Sequence, residues 1–105
     1  MSLVVCVIMA FQPSHKVKWY DLHGRRTASG QIFNREGMTC AGSSAYKLGD
    51  ILELQSTRDN RKIRVRVTDR GNFEKDGVSL DLSPAAFKAL FPLKQGVGKV
   101  YIKKL

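Results

Sequence analysis

Lys62-Ile63-Arg64-Val65-Arg66-Val67-Thr68 alternates apolar and polar side chains without a break. A period of two puts Ile63, Val65 and Val67 on one face of an extended strand and Arg64, Arg66 and Thr68 on the other. Ile51–Ser56 (ILELQS) has the same character, and the polar link Thr57-Arg58-Asp59-Asn60-Arg61 is turn-prone, so the two runs predict a hairpin. Continued for one more residue, the alternation sends Asp69 to the apolar side, just where Arg70-Gly71-Asn72 breaks the strand. A carboxylate aimed there has two uses. It can close the turn by accepting backbone N–H groups, or it can carry chemistry.

The remaining segments fit the same architecture. Lys16–Asp21 (KVKWYD) has strand character, and His23–Gln31 reads as a loop on its glycines and small polar residues. Met38–Gly42 is compatible with a turn of helix or a short strand. Asp81-Leu82-Ser83-Pro84 is a helix start: Ser83 can cap, and Pro84 suits the first helical position because its missing N–H needs no partner there. Phe87, Leu90 and Phe91 then share a face, and Pro92 stops the helix. Gly98–Leu105 alternates again as a closing strand. Five or six short strands and one short helix predict a small mostly-β barrel rather than a parallel α/β sheet.

With 105 residues the chain holds one domain. The apolar run Leu3–Phe11 is too short to span a bilayer but has the length of a signal-peptide core. No Lys or Arg precedes it and no A-x-A site follows, so a buried N-terminal strand is the competing reading. The expected division is an export signal over residues 1–15 and a folded domain over 16–105. A net charge of +9 predicts attraction to polyanions such as nucleic acid, anionic lipid or an acidic wall, or simply a well-solvated basic surface. Cys6 and Cys40 form no C-x-x-C and have no histidine at ligand spacing, which argues against a structural zinc site. If the N-terminal segment is cleaved, Cys40 is left alone and is expected to be buried.

Several short motifs occur in a fixed order: Trp19-Tyr20, His23-Gly24, Thr27-Ala28-Ser29-Gly30 with Phe33, Met38-Thr39-Cys40-Ala41, Leu48-Gly49, Val67-Thr68-Asp69-Arg70-Gly71 with Phe73, and Asp81-Leu82-Ser83 leading into the helix. Taken together they resemble the double-psi β-barrel domain of the rare lipoprotein A family, septal-ring lytic transglycosylases of bacteria, over about residues 17–105. The same barrel resembles the first domain of expansins and the family 45 endoglucanases. The resemblance implies a six-stranded barrel with one short helix and a shallow groove for a glycan strand. It also implies cleavage of peptide-free peptidoglycan to 1,6-anhydro ends, work in the periplasm or cell envelope with an association with the outer membrane, and a monomer with no cofactor or metal.

Residue by residue, the resemblance assigns the catalytic aspartate to Asp69. A carboxylate partly desolvated at a strand end is suited to donating a proton. Asp81 matches the second acid of the expansin-like members, and it also stands where a carboxylate favours a helix N-terminus. Tyr20 is a candidate for stacking on a sugar ring, with Trp19 as the alternative and one of the two expected in the core. His23 is a candidate catalytic or exposed loop histidine, and Thr27 and Ser29 are candidates to hold Asp69 by hydrogen bonds. The family's acidic residue after the T-A-S-G stretch is Gln31 here, able to bond a sugar but not to carry a proton. Its histidine after T-A-A is Gly42, and D-R-G-P reads D-R-G-N with Asn72. Glu36 and Glu74 are the acids available as substitutes.

Three functions from different classes compete. The first is a lytic transglycosylase acting on peptidoglycan glycan strands through Asp69. The second is a non-catalytic polysaccharide-binding barrel, favoured by Gln31 and Gly42. The third is a basic nucleic-acid-binding barrel, disfavoured because no aromatic alternates with Arg64 and Arg66 and because an exported chain does not meet nucleic acid.

Overall fold

A computed structural model describes residues 12–71 and 77–105. The N-terminal apolar run with Cys6, and Asn72, Phe73 and Glu74, lie outside the described residues. The described chain forms β1 (His15–Trp19), β2 (Thr39–Gly42), β3 (Ile51–Ser56), β4 (Lys62–Arg70), β5 (Val78–Leu82), α1 (Pro84–Leu90), a 3-10 turn (Leu93–Gln95) and β6 (Val97–Lys104). The six strands close into a barrel in the order β1-β5-β2-β4-β3-β6, a double-psi β-barrel with one short helix, as the sequence predicts. Within Met38–Gly42, Thr39–Gly42 is a strand, and β4 runs two residues past Thr68.

The alternating runs explain the core. Leu52 and Leu54 of β3, Val65 and Val67 of β4, Val17, Leu80, Leu82 and Val100 all point inward and are fully buried or nearly so. The helix covers one end of the barrel with Phe87, Leu90 and the following Phe91. Ser83 caps it as expected, its hydroxyl oxygen accepting from Ala86 N at 3.2 Å. Phe91 leaves the helix and lies across β6 at Gly98, where an added Cβ would stand 2.3 Å from the Phe91 ring.

Two parallel pairs, β1 with β5 and β2 with β4, cross the barrel; the other four pairings are antiparallel. Each parallel pair carries one irregularity. Cys40 pairs with Val67 but Ala41 pairs with Asp69, so Thr68 is an extra residue on β4. Likewise Lys16 pairs with Val78 and Val17 with Leu80, leaving Ser79 extra on β5. The bulge at Thr68 overturns the simple extrapolation of the alternation. Val67 and Thr68 are both buried, the phase resets, and Asp69 emerges half-buried at the rim instead of pointing into the core.

Candidate active site

Asp69 is gripped from two sides. One carboxylate oxygen, Oδ1, accepts from Ala28 N at 3.0 Å and from Arg70 N at 2.9 Å. The other, Oδ2, accepts from the Tyr20 hydroxyl at 3.1 Å. Burial first, and then the Asp69 charge beside it, push the Tyr20 phenol above its ordinary range, so it stays protonated and donates. Tyr20 is fixed in turn by an edge contact with buried Phe33 at 4.8 Å between ring centroids. Trp19 takes the core role instead, packing on the apolar cluster with its indole N–H donating to Leu93 O at 2.9 Å.

The loop that supplies Ala28 is built by its own side chains. Thr27, buried, donates to Gln31 O at 2.6 Å and shares a hydroxyl contact of 2.9 Å with Ser29, whose oxygen accepts from Gln31 N at 3.2 Å. Thr27 and Ser29 therefore shape the loop, and the contact with Asp69 expected of them comes from the backbone between them. The bulge anchors the same loop, because Ser29 N donates to Thr68 O at 2.9 Å.

Asp81 lies on the other side of β2. Ala41 pairs with Asp69 on β4 and with Asp81 on β5, so the two carboxylates flank one alanine in a single row across three strands. Two strand spacings put their Cα atoms about 10 Å apart. The Tyr20 phenol feels the charge of both. Asp81 belongs to β5, two residues before the Ser83 cap, so the helix start does not use it as its cap.

The remaining candidates have separate surroundings. His23 is exposed; its Nδ1 accepts from Arg35 N at 3.1 Å, which makes Nδ1 the unprotonated ring nitrogen. Arg35 also pairs with Asp21 at 3.0 Å, so His23 braces a surface loop. Glu36 is exposed in a turn closed by its own N–H on Asn34 Oδ1. At Gly42 an added Cβ would meet Tyr46 Cδ2 at 3.2 Å, so Tyr46 occupies the space a larger residue would take.

Sequence reasoning misses two participants. Arg70 reads only as part of a turn, yet its guanidinium donates to Ser43 O at 3.1 Å and to Tyr46 O, tying the segment after β2 to the site. A depression of about 400 Å³ opens beside Ala28 and Ser29 and is lined also by Gln31, Leu48, Arg66 and Thr68. Gln31 lines a second, smaller hollow with Thr39 and Asn34, so it stands between the two. An alternating strand with one face outward is the available signal for Arg66.

A gripped carboxylate, a second acid one row over and an open depression beside the loop that holds the first suit proton transfer on a bound substrate. Residues 14–102 match the family described as lytic transglycolase. The endolytic peptidoglycan transglycosylase RlpA of Pasteurella multocida is 40% identical over 81 residues, which is 77% of this chain and 27% of that protein. The probable endolytic peptidoglycan transglycosylase RlpA of Aquifex aeolicus is 41% identical over 81 residues, 75% of this chain and 35% of that one. The chain thus spans about a third or less of these relatives' own length. Among solved structures, the Streptomyces papain inhibitor superposes with a TM-score of 0.71 at 26% identity, covering 89% of this chain and 93% of that one. An expansin of Clavibacter michiganensis shares the fold with a TM-score of 0.68 at 24% identity, over 88% of this chain and 49% of that one.

Proposed function

Since the chain belongs to the lytic transglycolase family, we propose that it cleaves peptidoglycan glycan strands to 1,6-anhydro ends, with Asp69 as the proton-transfer group. The observation that carries this reading is the grip on Asp69 by Ala28 N–H, Arg70 N–H and the Tyr20 hydroxyl, which fixes a half-buried carboxylate against the Ala28-Ser29 loop that lines the depression.

The chemistry requires an acid to protonate the glycosidic oxygen and a base to take the proton from the C6 hydroxyl of N-acetylmuramic acid. That hydroxyl then attacks its own anomeric carbon as the glycosidic bond breaks. No water nucleophile enters, so one carboxylate can serve both steps in turn. Asp69 gives its proton to the leaving oxygen and then receives one from the hydroxyl, or the reverse. Tyr20 holds the oxygen not engaged by the backbone, and Asp81, across Ala41, is the second acid near the path. Gln31 offers an amide to sugar hydroxyls in the groove. On this reading the chain acts as a monomer in the cell envelope, outside the reach of nucleic acid.

A digest tests it. Wild type and Asp69→Asn are incubated with peptide-free glycan strands and the products weighed by mass spectrometry. Anhydro ends, one water lighter than hydrolysed ends, are expected from wild type and not from the variant. Hydrolysed ends, or anhydro ends from both proteins, would overturn the assignment.

The second reading is a polysaccharide-binding barrel without turnover. It is favoured by Gln31 standing where the family has an acid and by Gly42, whose side-chain space Tyr46 fills. Retention on cell wall with no product from wild type would select it.

A further inference from the structure

We propose that Arg66 is a specificity determinant of the groove, reading the carboxylate that peptidoglycan exposes on its muramic acid residues when the stem peptide is gone; this rests on the glycan-cleaving reading above. In muramic acid the stem peptide is attached through the carboxyl of the lactyl ether. A strand that has lost the peptide therefore carries a free carboxylate on each such sugar, and a strand that keeps it carries an amide there. A cation lining the depression can tell the two apart.

Arg66 is exposed and lines the depression that opens at Ala28-Ser29, the loop whose N–H holds Asp69. It precedes Asp69 by three residues on the same strand, a distance of roughly 10 Å along β4, within the span of a short run of sugar rings. The bulge at Thr68 brings the two residues to the outer side together; without the extra residue they would point to opposite faces.

The charge pattern singles out this arginine. Arg64, two residues back, lies opposite Glu53 in the hairpin, and Glu53 also pairs with Lys62 at 3.9 Å. Arg66 lies between Thr39 and Ile51, neither of them charged. Its field is therefore not offset within its own row. A guanidinium matches a carboxylate with two parallel hydrogen bonds, which a lysine cannot copy. Gln31 and Ser29 line the same depression with polar groups suited to the neighbouring hydroxyls.

The test compares glycan strands bearing free lactyl carboxylates with the same strands after those carboxylates are converted to neutral amides. Wild type is expected to favour the free strands by about two- to fivefold, the effect of one exposed charge pair. Arg66→Gln should abolish the preference by raising KM on the free strands while leaving the amidated strands unchanged, and Arg66→Lys should fall between. Arg64→Gln, on the same face but outside the groove, should keep the wild-type preference. Equal handling of both strands by wild type, or equal loss in the Arg64 and Arg66 variants, would overturn the proposal. If no strand is cleaved, the glycan-cleaving reading fails by itself; the same strands are then compared by equilibrium binding. A preference that vanishes only in Arg66→Gln sustains the carboxylate site, and its absence overturns it.

Discussion

The Tyr20 hydroxyl donates to Asp69 Oδ2 at 3.1 Å across a sequence separation of 49 residues. Among the described residues this is the one side-chain donor on a carboxylate otherwise held by backbone. Tyr20→Phe removes it and leaves the ring against Phe33. Release of anhydro ends should fall about 10- to 100-fold, less than the roughly 10²–10³-fold typical of a donor aimed at the reacting oxygen itself, because Tyr20 acts through Asp69. Thermal stability should fall by about 1–3 kcal/mol, since a carboxylate oxygen loses its donor. Product yield and a melting curve on the same preparation separate the two effects.

Asp81 shares Ala41 with Asp69 as a cross-strand neighbour. If Asp81 assists proton transfer, Asp81→Asn should lower turnover by about 10²-fold or more while glycan binding persists, in line with a general acid or base. If it only supports β5, the variant should lose stability and keep its turnover per folded molecule. Rates normalised to the folded fraction distinguish these results.

Gly42 is tight because Tyr46 lies over it. Gly42→His should cost about 1–3 kcal/mol through overpacking. Adding Tyr46→Ala should recover part of that loss, since it vacates the space. Denaturant midpoints of the single and double variants give the coupling directly.

Gly98 faces the Phe91 ring so closely that even a methyl group does not fit, since a Cβ there would have three ring carbons within 2.6 Å. Gly98→Ala should therefore destabilise by about 1–3 kcal/mol or more. Pairing it with Phe91→Leu should make the penalty smaller than the sum of the separate changes. Melting temperatures across the set check this.

Burial pushes the Cys40 thiol from 9.0 up to about 12. The folded state therefore keeps a proton that the unfolded chain releases in mild alkali. Stability attributable to this group is complete below pH 9 and declines as pH rises toward 12. In a Cys6→Ser background, Cys40→Ala should flatten the fall of the urea midpoint between about pH 8 and pH 11. Thiol-directed reagents at about pH 8 should modify the folded protein at Cys40 far more slowly than the unfolded one.

Much of the barrel can be read from residue order because its strands obey one rule. Ile51–Ser56, Lys62–Thr68 and the closing strand alternate, and Ser83-Pro84 announces the helix. Met38–Gly42 is ambiguous in sequence because β2 is sandwiched between two strands and buries three consecutive residues, Cys40, Ala41 and Gly42, which erases the period. The Thr68 bulge is invisible there for a different reason: Val67 and Thr68 are both β-branched, and only the partner strand reveals which residue is extra. Asp69 stands out by motif, but its hydrogen bond from Ala28 depends on a backbone N–H that no side-chain pattern encodes. The adjacency of Asp69 and Asp81 is a product of strand order, since β2 comes early in the chain yet lies between two later strands.

That strand order has a consequence for timing. The two carboxylates arrive on successive strands, β4 and β5, and the alanine between them belongs to a strand laid down far earlier in the chain. No contiguous fragment of the chain shorter than Tyr20 to Asp81 contains the tyrosine and both acids. The pair comes into being only when β5 seats against β2, whose other edge β4 already holds.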